Sequence, residues 1–77
     1  MSAGASPVGQ VGRVSRSGAI RPERLGEVLV EIRGGVEAFL ARDADGGEIA
    51  PDTEVVVVEY LPPRTVIVTP MPGGEPS

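Results

Sequence analysis

Seventy-seven residues give room for one domain, and a chain this short leaves roughly 40% of its unfolded surface exposed after folding, so its core is thin. Neither cysteine nor histidine is present, which excludes a disulfide framework and the common zinc sites and leaves only oxygen ligands for a metal. The net charge of −4 is uneven: Arg13, Arg16 and Arg21 face no acid before Pro22, giving +3, while the remainder sets four arginines against all eleven acids, an acidic −7 body that repels phosphate backbones and makes nucleic acid an unfavourable partner.

Only Phe39 and Tyr60 are aromatic, so the interior must be filled by valine, leucine, isoleucine and alanine. The longest aliphatic run, Val55 to Val58, is far short of the ~20 residues needed to cross a bilayer, and the chain reads as soluble as given. Residues 1–7, small and polar with Gly4 and Pro7, are expected to form a disordered lead-in. Val8 to Ser15 alternates loosely and forms the first candidate strand, in which Gly9 and Gly12 mark either a bulge or the close approach of another backbone. Ser17-Gly18 breaks it. Ala19-Ile20-Arg21-Pro22 continues extended, because the residue before a proline is pushed out of the α region.

Two readings compete over Glu23 to Arg42. Leu25, Val28, Leu29, Ile32, Val36, Phe39 and Leu40 fall at helical spacing, but a helix would carry Gly34 and Gly35 in its interior at roughly 1 kcal/mol each. The strand reading does better. It puts Val28, Val30 and Ile32 on one face and Glu27, Leu29 and Glu31 on the other, and takes Gly34-Gly35 as the positive-φ pair of a two-residue hairpin. The returning strand, Val36 to Arg42, has Val36, Ala38 and Leu40 on one side and Glu37, Phe39 and Ala41 on the other.

Asp43-Ala44-Asp45-Gly46-Gly47-Glu48 is a solvated turn by composition, since it lacks the third early ligand and the position-12 glutamate of a calcium loop. Asp52 stands at a tight corner before Thr53. From Thr53 to Thr69 two valine- and isoleucine-rich strands flank Leu61-Pro62-Pro63-Arg64, a stiff turn no helix could pass. The unbroken run Val55-Val56-Val57-Val58 fits either a strand covered on both faces or one that bends through a bulge. The domain ends near Pro70, and residues 71–77 are expected to be a disordered tail. Five short strands separated by turns describe an all-β fold, a small five-stranded Greek-key barrel, the most economical way to hide sheet edges.

Chemistry is hard to place on this chain. A serine nucleophile needs a base beside it, and there is no His, Lys or Cys to serve; no phosphate-binding glycine motif occurs; and Glu54 and Glu59, five apart, point to opposite faces unless a bulge intervenes. No enzyme activity, cofactor or metal site is expected. A barrel that binds single strands stacks bases on aromatics above a basic groove, and that platform is missing. The candidate recognition surface is Tyr60, Leu61, Pro62, Pro63 and Arg64, a rigid and partly apolar turn with an aromatic at its entrance. The competing reading is that Tyr60 closes one end of the core with a buried ring and a wet hydroxyl, and that the prolines only shape the turn.

The spacing of Gly9 and Gly12, Ile20-Arg21-Pro22 with Gly26 and Val28, Ala41, Ile49, Thr53 with Val55, Val57 and Val58, and the closing Val66 and Val68 resembles the C-terminal domain of NfeD-like proteins over roughly Val8 to Pro70. Asp52 stands where that family usually has glycine, and the hairpin strands are longer than usual. The resemblance implies an OB-type barrel, attached to membrane helices upstream and working beside flotillin- or stomatin-type membrane scaffold proteins; with such helices the +3 opening segment would lie next to the membrane, where arginines favour the cytoplasmic side. Longer relatives carry a serine protease domain, to which nothing here corresponds. The expected function is therefore a non-enzymatic protein-interaction module, with an OB-type single-stranded nucleic-acid binder as the alternative and a homo-oligomer as a further possibility.

Overall fold

The computed structural model describes residues 6–71. β-Branched residues dominate the buried positions of five strands: β1 (Val11–Val14), β2 (Gly26–Ile32), β3 (Gly35–Asp43), β4 (Glu54–Leu61) and β5 (Thr65–Pro70). They close into a barrel in the order β1-β2-β3-β5-β4, with every neighbouring pair antiparallel except β3 and β5, which run parallel. Fourth strand against first closes the ring. This is a five-stranded Greek-key barrel of OB type, and no helix occurs among the described residues.

The inward positions are small and aliphatic. Val14 comes from β1, Val28 and Val30 from β2, Phe39 and Ala41 from β3, Val55 and Val57 from β4, and Val66 and Val68 from β5. Phe39 is the one large ring among these buried residues, so the barrel is narrow and filled mainly by branched three-carbon side chains. Its closure depends on Gly12, whose missing side chain lets β1 approach β2: a Cβ there would lie 2.8 Å from the Leu29 carbonyl oxygen. The close approach expected at that glycine is present, whereas Gly9 sits in a turn with φ of 88°.

One end of the barrel is plugged by two loops. Ile20 and Ile49 are both buried and exchange backbone hydrogen bonds of 3.0 Å in each direction, tying residues 15–25 to residues 44–53. The loop carrying Ile20 lies directly on β2. A Cβ on Gly26 would come within 2.3 Å of the Gly18 carbonyl oxygen and 2.6 Å of the Ile20 side chain, so only glycine fits.

Several expectations need correction or refinement. The β2–β3 turn is built on Arg33 (φ 48°) and Gly34 (φ 79°), not on Gly34-Gly35, and Gly35 already pairs with Ile32. Either register puts Phe39 and Ala41 on the same face as Val28 and Val30, so the apolar pattern does not distinguish them. The observed one seats Gly26 opposite Ala41, under the Ile20 loop. The four-valine run bends through a bulge: Val57 pairs with Val68, Glu59 with Ile67, and Val58 is left without a partner and exposed. The phase shift turns Glu59 outward like Glu54, so the two carboxylates do not lie on opposite faces.

The turn that follows β3 is solvated as expected, with Ala44, Asp45, Gly46 and Glu48 exposed, but its first residue, at the end of β3, is not. Asp43 is buried, and its carboxylate accepts hydrogen bonds from the backbone N–H groups of Asp45 (3.3 Å) and Gly47 (3.0 Å). At the chain ends, residues 1–5 and 72–77 of the expected lead-in and tail lie outside the described residues. Pro7 is buried, and the N–H of Met71 donates to the Glu54 carbonyl at 2.9 Å.

Candidate functional site

The turn between β4 and β5 carries all five candidate residues, and the bulge at Val58 decides how they face. By shifting the alternation one step it brings Tyr60 inward, opposite Val66, and turns Leu61 outward. The Tyr60 ring stands edge-on to Phe39, with centroids 6.1 Å apart and planes at 89°. Its hydroxyl donates to the Pro63 carbonyl at 3.0 Å, bridging the turn from within. The Pro62–Pro63 peptide is cis.

Arg64 braces the same turn from β3. Its guanidinium lies over the Phe39 ring, 5.2 Å from the centroid; Nη2 donates to the Ala38 carbonyl; and Nη1 is 3.9 Å from Glu37 Oε2. Its own carbonyl accepts from Leu40 N–H at 2.8 Å. The ion pair with Glu37 is about half exposed and contributes at most ~1 kcal/mol, so the ring contact and the hydrogen bond to Ala38 matter more. That hydrogen bond also has a role in the sheet. β3 meets β5 only from Leu40 onward, and the Arg64 side chain satisfies a carbonyl on the otherwise unpaired edge before it.

The five candidates thus divide. Tyr60 and Arg64 are framework: they hold the turn to Phe39, Ala38 and Glu37, none of which was singled out from sequence, although Phe39 as the only other aromatic was a foreseeable partner. Leu61, 42% exposed, with Pro62 and Pro63, also exposed, is what the turn presents outward. The arrangement offers an apolar edge on a rigid support. It has no nucleophile paired with a base, and among the described residues no three acidic side chains gather where they could hold a metal. Phe39 is buried with the Arg64 guanidinium over its ring, so it is closed to base stacking.

Asp52 forms the tight corner before Thr53. Its φ of 67° is a left-handed conformation that glycine adopts without strain. Its N–H donates to Val14 O at 2.8 Å and its carbonyl accepts from Arg13 Nη1 at 3.3 Å, so the corner is held even with a side chain on it.

The profile of the NfeD C-terminal domain matches residues 11–69. Among solved structures, the chain is similar to the soluble domain of the NfeD protein YuaF from Bacillus subtilis, with 32% identity, a TM-score of 0.68, and coverage of 90% of this chain and 75% of that one. It is also similar to the C-terminal domain of the stomatin operon partner protein 1510-C from Pyrococcus horikoshii, with 29% identity, a TM-score of 0.66, and coverage of 84% and 88%. No curated protein sequence gives a significant match. The family match covers all five strands, and among the positions that carry the resemblance Gly12 and Gly26 let the strands and loops close while Val28, Val55, Val57, Val66 and Val68 fill the core: this chain belongs to the NfeD C-terminal domain family.

Proposed function

We propose that this domain is a non-enzymatic protein-interaction module of a membrane-associated NfeD-like protein, acting on the cytoplasmic side of the membrane beside a scaffold protein of the flotillin or stomatin type. The observation that carries this reading is the braced β4–β5 turn. It presents Leu61, Pro62 and Pro63 to solvent while Tyr60 and Arg64 hold it still, so little entropy is lost when a partner covers it. Membership of the NfeD family supports the setting, and a similar domain belongs to a stomatin operon partner protein.

The test is co-sedimentation of the membrane-anchored parent protein with its stomatin-type scaffold. Leu61→Asp, at an exposed position, leaves the fold intact and weakens the association at least roughly tenfold, the scale of losing a central apolar contact. Unchanged association would remove the turn as the contact surface. A salt-dependent mobility assay on single-stranded DNA covers the nucleic-acid alternative, and no shift is expected at physiological salt because the body is acidic.

A further inference from the structure

The outer face of the barrel over β1, β2 and β3 is a second surface, formed by residues to which the β4–β5 turn contributes nothing. Two rows cross it. The strand registers set Val11 beside Val56 and Glu31 beside Val36, with Val11, Glu31 and Val36 lining one groove, and set Glu54, Arg13, Leu29 and Ala38 side by side in the next row. Val11, Leu29 and Val36 are all exposed, Val36 to 62%, and with Glu31 they line a shallow groove. Scattered exposed aliphatics are ordinary, but three that converge on one groove form a patch.

The charges in the patch indicate what it accepts. Arg13 is 3.6 Å from Glu54, so those two compensate one another. The Glu31 carboxylate shares the groove with Val11 and Val36 and has no ion-pair or hydrogen-bond partner among the described residues. We infer that this face docks a protein segment that places one arginine or lysine on Glu31 and apolar side chains on Val11, Leu29 and Val36. A covering surface without that cation leaves Glu31 desolvated and unpaired, a costly outcome. A second copy of the chain would supply the same compensated pair and the same lone carboxylate. An anionic lipid surface or a phosphate backbone would be repelled. The complement is therefore cationic and apolar.

The test uses the 77-residue chain labelled with nitrogen-15 and titrated with a synthetic amphipathic helical peptide of leucine and arginine, against a leucine–glutamate counterpart. The arginine peptide shifts the amides of Val11, Leu29, Glu31 and Val36, and the glutamate peptide does not. Glu31→Gln weakens binding roughly fivefold and Leu29→Ser at least as much, while Glu59→Gln and Leu61→Asp leave it unchanged. Equal weakening by Glu31→Gln and Glu59→Gln would reduce the effect to general charge attraction and overturn the proposal. So would shifts centred on Leu61 to Arg64, binding of anionic phosphatidylserine vesicles to the same amides, or concentration-dependent shifts there without peptide, which would assign the face to a second copy. Because the proposed turn contact is read by Leu61→Asp and this face by Glu31→Gln, failure of one leaves the other standing.

Discussion

The two ends of the barrel are closed by different means. At one, Ile20 and Ile49 are buried to the last few per cent of their surface, their backbones are mutually hydrogen-bonded, and loop and strand meet so closely at Gly26 that a single methyl group does not fit. At the other, the lid is an aromatic pair with an arginine across it: Phe39 is buried, Tyr60 and Ile32 are only partly so, and Arg64 is exposed. The aliphatic end contains Ile20, Gly26 and Ile49, which carry much of the family resemblance and present little to a partner. The aromatic end holds the outward-facing apolar turn. Ile20, Gly26 and Ile49 thus help to build the barrel and lie at the opposite end from the proposed contact, whereas Val66 pairs with Tyr60 beside it.

Substitutions should separate the two ends. Val57→Asp attacks the core they share. It places an unpaired carboxylate at a fully buried position on β4, at a cost of several kcal/mol that a domain this small does not survive, and far-UV circular dichroism with a thermal scan should show no cooperative transition. A folded, cooperatively melting variant would show that Val57 is not in the core. Gly26→Ala breaks the aliphatic end alone. The new Cβ meets backbone oxygens of Gly18 and Ala19, which cannot rotate away, and urea denaturation should register a loss of about 2–3 kcal/mol.

Arg64→Ala probes the aromatic end and should cost less, about 1–1.5 kcal/mol, because the ring and carbonyl contacts it removes are partly solvated. If it destabilises as much as Gly26→Ala, the two ends are equally rigid and the contrast drawn between them fails. Asp52→Gly has the smallest effect and the opposite sign. It relieves a positive φ at the corner leading into β4 and should raise stability by roughly 0.5–1 kcal/mol, visible as a higher urea midpoint with an unchanged slope.

Much of the barrel was legible because β-branched residues alternate with polar ones and glycines punctuate them. Val28 and Val30 between Glu27 and Glu31 announce the inward face of β2 without help from the rest of the chain. The candidate site was legible only in outline. Leu61-Pro62-Pro63 could be read as a rigid exposed turn, but the support for Tyr60 and Arg64 comes from Glu37, Ala38 and Phe39, more than twenty residues away, and nothing local announces that contact. Glu31 shows the same limit. As the polar member of an alternating strand it looks like a solvated charge, and its isolation in one groove with Val11 and Val36 emerges only once β1 and β3 are laid on either side of β2.

The sequence by itself determined the all-β class, the number of strands, the composition of the core and the family, because each of these rests on side-chain periodicity and on backbone conformations that glycine and proline impose locally. Tertiary structure decided the register at Arg33-Gly34, the bulge at Val58 that turns Tyr60 inward and Glu59 outward, and the burial of Asp43. In each case the local pattern admits two arrangements: two registers with the same inward face, a valine run that could bend or stay straight, an acidic turn that could point in or out. Contacts made far along the chain, at Gly26 and Val68, made the choice for the register and the bulge, while Asp43 is held by the nearby N–H groups of Asp45 and Gly47.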